Sequence, residues 1–318
     1  MRQPQCGYYL RRVLFLLITS SLSLTSLGAM NAAENVFKSK ISVKGSSKIG
    51  FELMPAESMG ISFINSLDEL KGASNRVLFN GSGVAVGDVD GDGLIDLFFC
   101  GLDSKNQLYR NLGDWKFVQM NIPDTLELPG FPTRGATFAD VDGDRNLDLL
   151  LTTVGGGPRL FTNDGKGVFN EKTNESGLKS RAGGSSLTLA DIDGNGTLDL
   201  YIANNRAEDI RDLGRVNLKR INGNIVPPDA LKNRLLVHKG QIHEFGEADD
   251  LYLNDGHGAF KRVAWTDGHF RNSGKPLIAE PLDWGLTATF RDINGDRAPD
   301  LYVCNDYWTP DRIWINDG

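Results

Sequence analysis

Four stretches of the chain place oxygen-bearing side chains at a spacing that suits a bound cation. In the first, Asp88, Asp90, Asp92 and Asp96 occupy positions 1, 3, 5 and 9 of a nine-residue loop. The second repeats this with Asp140, Asp142, Asp144 and Asp148, the third with Asp191, Asp193, Asn195 and Asp199, and the fourth with Asp292, Asn294, Asp296 and Asp300. Carboxylates this crowded repel one another unless a positive ion lies among them, and hard oxygen donors in a flexible loop match calcium. Position 4 is always glycine (Gly91, Gly143, Gly194, Gly295), as a tight wrap needs a backbone angle that a Cβ disfavours. Position 7 differs in every copy (Leu94, Asn146, Thr197, Ala298), as expected where the ligand is the backbone carbonyl. Position 2 is Val or Ile and is expected to turn inward. Asn195 and Asn294 each replace a carboxylate, which predicts weaker third and fourth sites. The expectation is up to four structural Ca2+ ions.

The loops must be held by strands. An EF-hand also opens D-x-D-x-D-G, but it needs a bidentate Glu at position 12 and flanking helices. Position 12 here is Phe99, Leu151, Ile202 and Val303, and the preceding residues alternate with period two. Each loop is followed by Leu and a β-forming run. The loops begin at 88, 140, 191 and 292, spacings of 52, 51 and 101, so one long connection, 204–249, interrupts the series. A second hallmark follows each loop: Leu108 to Phe117, Leu160 to Phe169, Leu251 to Phe260, and a fourth that begins Ile313-Trp314-Ile315-Asn316-Asp317-Gly318. Asn-Asp-Gly between β-formers is a hairpin turn, and two hairpins per ~50 residues make one four-stranded propeller blade. The fold class is therefore all-β, a propeller with about four blades present.

The succession D-x-D-G-D/N-x-x-x-D and L-Y/F-x-N-x-G-x-x-F resembles the FG-GAP/VCBS repeats found in integrin α-chain heads and in bacterial and animal relatives of cartilage acidic protein. The resemblance spans residues 76–318, with Gly81 to Asp88 and Ser273 to Asp317 similar to the large bacterial branch that often carries an ASPIC/UnbV domain. It implies a β-propeller, usually seven-bladed, with calcium in several hairpin loops, and a surface role in binding or adhesion without shared catalytic residues. An end at Gly318 inside a hairpin predicts a piece of a longer ring.

Residues 1–33 read as a signal peptide. Arg2, Arg11 and Arg12 precede an apolar run from Val13 to Leu27, then small residues offer cleavage points. This predicts a secreted, periplasmic or cell-surface protein with no membrane span in the mature chain. Residues 34–75 form an N-terminal segment, in which 60–64 is expected to be a ring-closing strand and 66–71 a helical turn. The net charge of −7 is local to the metal loops, which hold fourteen of the 41 acids, and no basic patch supports nucleic-acid binding. Cys100 and Cys304 sit at one offset in different repeats and are expected to be free thiols. His238, His243, His257 and His269 fit no zinc spacing.

In the long connection, Pro227 to Leu236 predicts a capped helix or turn, and such insertions often form the binding face. Asn305-Asp306-Tyr307-Trp308 has the polar-aromatic character of a sugar or peptide contact. These features predict a non-catalytic scaffold for protein or glycan partners. The alternative is a polysaccharide lyase or hydrolase with its site in the central channel or the insertion. Against it, no Ser/His/Asp, Cys/His or paired-acid constellation lies outside the loops.

Overall fold

Short antiparallel strands joined by Asp- and Gly-rich turns build the molecule. The computed structural model describes residues 51–318 other than 181, so the leader expected over 1–33 lies outside the described residues. The first sheet contains β1 (Val84–Gly87), β2 (Asp96–Phe99), β3 (Gln107–Asn111) and β4 (Phe117–Gln119). The second contains β5 (Thr133–Ala139), β6 (Asp148–Thr153), β7 (Arg159–Asn163) and β8 (Phe169–Glu171). In the third, β9 (Gly184–Ala190) and β10 (Asp199–Asn204) are followed by the long connection with its two hairpins, β11 (Lys219–Ile221) with β12 (Asn224–Val226) and β13 (Leu235–His238) with β14 (Gln241–Glu244). The chain then returns as β15 (Asp250–Asn254), which pairs with β10, and β16 (Phe260–Arg262). A small hairpin, β17 (Arg271–Asn272) and β18 (Lys275–Pro276), precedes the fourth sheet of β19 (Gly285–Arg291), β20 (Asp300–Asn305) and β21 (Arg312–Trp314). Each sheet is a meander, and together they are the four blades the repeats predict.

Sheets stack face to face, and the cores lie between neighbouring blades. Phe98 and Leu108 of blade 1 pack with Leu149, Leu151 and Phe161 of blade 2. On the other face of the same strand, Leu150 packs with Leu160 and with Leu200, Ile202 and Tyr252 of blade 3. Tyr201 and Leu251 then meet Leu301 and Val303 of blade 4, with Trp265 and Phe270. A strand sandwiched on both faces needs apolar residues at successive positions, which is why Leu149-Leu150-Leu151 runs without alternation. Phe138, Leu189 and Phe290 each pack toward the preceding blade, whereas Val86, at the equivalent place in blade 1, is exposed.

Two expectations are corrected. Residues 60–64 form no strand. Helix α1 (Ala56–Met59) ends at Gly60 in the left-handed region, and the backbone N–H of Ser62 donates to the Tyr109 hydroxyl (3.2 Å) instead of joining a ladder. Phe63 still reaches blade 1, stacking on Phe99 at 5.0 Å. The helical turn expected over 66–71 is α2 (Glu69–Ser74), delayed because Asp68 caps it by accepting from the amides of Leu70 and Lys71. In the long connection, Pro227 to Leu236 holds only a 3₁₀ turn, Asp229–Leu231, before β13 begins at the buried Leu235.

Candidate metal centre

All four acidic loops join the first two strands of a blade, so they lie at one end of the sheets together with the Asn-Asp-Gly hairpins that join the third and fourth strands. Within each loop a chain of hydrogen bonds fixes the carboxylates. The position-1 Asp accepts from the position-6 amide in every copy: Asp88 from Gly93 (2.8 Å), Asp140 from Arg145 (3.0 Å), Asp191 from Gly196 (2.9 Å) and Asp292 from Arg297 (3.0 Å). That amide is aimed by a left-handed backbone at position 6, which Gly93 and Gly196 adopt freely but Arg145 (φ 74°) and Arg297 (φ 78°) adopt at a cost. The expected left-handed glycines at position 4 are all present, with φ between 74° and 85°.

The position-9 Asp does two jobs at once. Asp96, Asp148, Asp199 and Asp300 are each fully buried. One oxygen accepts from the position-2 amide (Val89, Val141, Ile192, Ile293), at 2.9 to 3.1 Å. The other accepts from the amide of the hallmark asparagine (Asn111, Asn163, Asn254, Asn316), at 2.8 to 3.0 Å. The acid loop is thereby tied to the second hairpin of its own blade.

In three loops the carboxylates at positions 1, 3 and 9 converge: Asp88, Asp90 and Asp96; Asp140, Asp142 and Asp148; Asp191, Asp193 and Asp199. One oxygen from each lies within 4.8 Å of the others, close enough for all three to touch one ion. Among the described residues these are the three such groups. Asn294 takes the third carboxylate from the fourth loop, where it instead donates to Asp296 (2.7 Å). Position 5 stands outside the triads. Asp92, Asp144, Asn195 and Asp296 accept from the amides of Leu94, Asn146, Thr197 and Ala298, closing the loop on itself. The third loop therefore keeps its triad despite Asn195. Val89 and Val141 at position 2 are buried as expected, but Ile293 is exposed, so the inward anchor is lost in the fourth loop.

The triads are electrostatically unbalanced without a cation. Burial, followed by the neighbouring Asp142 and Asp144 charges, pushes the Asp148 carboxyl up to about 6, against the two amides that lower it. Asp96 and Asp199 are raised for the same reasons, and burial raises Asp142 as well. An all-oxygen set of carboxylates, one in each triad buried and all preset by backbone amides, suits a hard divalent cation and offers nothing to a soft one. In the first loop a protein cation intrudes. Arg110, on β3, forms ion pairs with Asp90 (2.6 Å) and Asp92 (3.1 Å). The equivalent residues Thr162, Leu253 and Ile315 cannot do this. No sequence motif marked Arg110; its place two residues after the leucine that opens the hallmark was the available signal.

The hallmark asparagines also reach across blade boundaries. The Asn163 side-chain amide donates to the carbonyl of Val89 in the preceding loop (2.8 Å) and to Leu147 in its own (3.1 Å). Asn254 repeats this with Val141 and Leu198, and Asn316 reaches Ile192. The first three acidic loops are thus bonded to the next blade through their position-2 carbonyls. Cys100 and Cys304 are free, and burial pushes the Cys100 thiol up to about 12.

The FG-GAP-like repeat family matches the chain twice, over residues 88–151 and 140–202. Each match runs from the start of one acidic loop through the central strand of the next blade. None of the curated proteins matches the sequence. Two crystal structures of BBS1N in complex with ARL6DN, soaked with lead or with mercury, are similar over 70% of this chain at 11% identity, with TM-scores of 0.28 and 0.29. The chain spans 62% of the length of those chains. Both matches are bounded by the loops whose geometry recurs from blade to blade, so residues 88–202 are FG-GAP-like repeats.

Proposed function

We propose that this chain is a calcium-stabilised propeller that works as a non-catalytic scaffold for protein or glycan partners outside the cytoplasm. What supports the reading is the convergence of three carboxylates, at identical loop positions, in three successive blades. Calcium fits the donor set because its ligands are oxygens and its coordination is tolerant. It also fits the proposed compartment, where the ion is abundant enough to fill loops of modest affinity. Its role is structural: each ion cancels the repulsion within a triad and fixes the turn between a blade's first two strands. Among the described residues no helix is long and apolar enough to cross a membrane.

The test is a calcium titration of the chelator-treated protein, followed by calorimetry and by thermal melting. Three sites and a Tm that rises with calcium and falls with EGTA are expected. Asp142→Ala is expected to remove one site and leave two. A melting curve indifferent to chelation would reject the calcium assignment.

A further inference from the structure

The end of the blades opposite the metal loops carries a cavity of about 440 Å³. Its walls come from four connections: the 3₁₀ turn Arg76–Asn80 before β1, the long β10–β15 connection, the segment before β19, and the β20–β21 loop. Ties across the molecule close it. Arg76 pairs with Asp212 (2.6 Å), and Asn75 donates to the carbonyl of Ala207 (2.8 Å), joining the lead into blade 1 to the insertion of blade 3. We propose that this cavity binds a neutral saccharide of one or two rings. The proposal deepens the reading of the chain as a binding scaffold and rests on it.

Three observations select that chemistry. First, the wall is amphipathic: Val77, Ile210 and Leu235 give an apolar side, and Trp284 and Tyr307 give aromatic rings 6.3 Å apart. The indole is held in place by its N–H, which donates to the Glu244 carbonyl (3.1 Å). A ring with C–H faces and polar edges fits such a wall. Second, the charges are already matched. Arg211 is bound by Asp209 through two hydrogen bonds, and Glu244 by Arg234. Asp306 is the one lining charge with no ionic partner among the described residues. An anion entering would meet the unpaired Asp306 carboxylate. A neutral polyol avoids that repulsion and can both donate to the carboxylates and accept from the guanidinium groups. Third, Asn205 lines the cavity and is only 3% exposed, yet its side-chain amide makes no hydrogen bond to another described residue. A ligand hydroxyl in the cavity can bond to that amide. Tyr307 adds a sign of function: it holds a left-handed backbone (φ 65°) that a bulky residue rarely adopts, with its amide bound to Asp306 (2.6 Å).

The experiment titrates the full chain in calcium with glucose, galactose, mannose, N-acetylglucosamine and cellobiose, reading calorimetry and tryptophan emission. Glucuronate serves as the charged comparator. At least one neutral sugar is expected to bind one to one and to shift the emission, with glucuronate at least tenfold weaker. Tyr307→Ala removes a ring that is 77% exposed, so the fold should tolerate it, and it is expected to weaken binding at least tenfold. Asp306→Ala, also exposed, is expected to narrow the preference against glucuronate. Absence of binding by every neutral sugar, equal binding of glucuronate, or wild-type affinity in Tyr307→Ala would overturn the proposal. The scaffold reading is scored separately by EGTA. Calcium-dependent melting without sugar binding sinks the cavity and leaves the scaffold standing; sugar binding without calcium-dependent melting supports the cavity and removes the ion.

Discussion

At the end of the blades that carries the acidic loops, the same hydrogen bonds recur four times with distances that agree to within a few tenths of an ångström. At the other end no two connections are alike: five residues join β6 to β7, while forty-five separate β10 from β15. The repeated end can be repeated because its residues answer to one another and, on the proposed function, to an ion. On the same proposal the variable end answers to a partner outside the chain. Periodicity in the sequence therefore marks what holds the blades, and its interruption marks where a partner would be read.

Several experiments can break this contrast or sharpen it. The largest effect is expected at a buried position-9 carboxylate. Asp148→Ala leaves the amides of Val141 and Asn163 without acceptors. At about 1–3 kcal/mol for each unsatisfied buried donor, the loss should be about 3 kcal/mol by urea unfolding even in EGTA. Tyr307→Ala, at the other end, should leave that unfolding curve in place. A comparable loss in both variants would erase the distinction between the two ends.

Restoring the missing carboxylate comes next. Asn294→Asp is expected to complete a fourth triad and raise the calcium stoichiometry from three to four. If the stoichiometry stays at three, the exposed Ile293, not Asn294, is what disables that loop.

A pH titration then separates the metal-free from the loaded state. The Asp148 carboxyl lies above its unfolded value, at about 6, so the metal-free fold binds more protons than the unfolded chain between about pH 4 and 6. Without calcium, stability should fall as pH rises through that window. With calcium the slope should reverse, because each proton lost opens a ligand. Melting curves at both calcium extremes across pH 4 to 7 check the sign.

The smallest effect is at position 6. Arg145→Gly relieves a left-handed angle and should add about 1 kcal/mol, less what glycine costs in the unfolded chain. The corresponding change at Lys172, an ordinary position of blade 2, should only weaken the protein.

Much of the repeated end was legible from spacing alone. Carboxylates at fixed intervals, the strand alternation before each loop, and a second hairpin in each period of ~50 residues led to four-stranded blades. The position-6 geometry was hidden because Gly and Arg share it, and residue type carries little trace of a backbone angle that two arginines accept under strain. The double role of the position-9 Asp was hidden because a carboxylate that receives two amides looks the same in sequence as one that only binds an ion. Arg110 and Asn163 act on loops 15 or more residues away, and no local pattern encodes such a reach. The cavity was the least legible feature. The insertion and Asp306-Tyr307 were each visible as unusual, but Arg76, Asn205 and Trp284 became its walls only when blades 1, 3 and 4 were brought together.

The bonds from Asn163, Asn254 and Asn316 to the loop of the preceding blade turn the molecule into a linear array with nearest-neighbour coupling. Since each link starts at a carbonyl whose neighbouring carboxylates would hold the proposed ion, calcium binding would set the strength of the coupling as well as the stability of each unit. At low calcium such an array should open blade by blade, with broad, probe-dependent transitions. At high calcium it should yield all at once, so the ion concentration around the protein would govern how it fails as well as when.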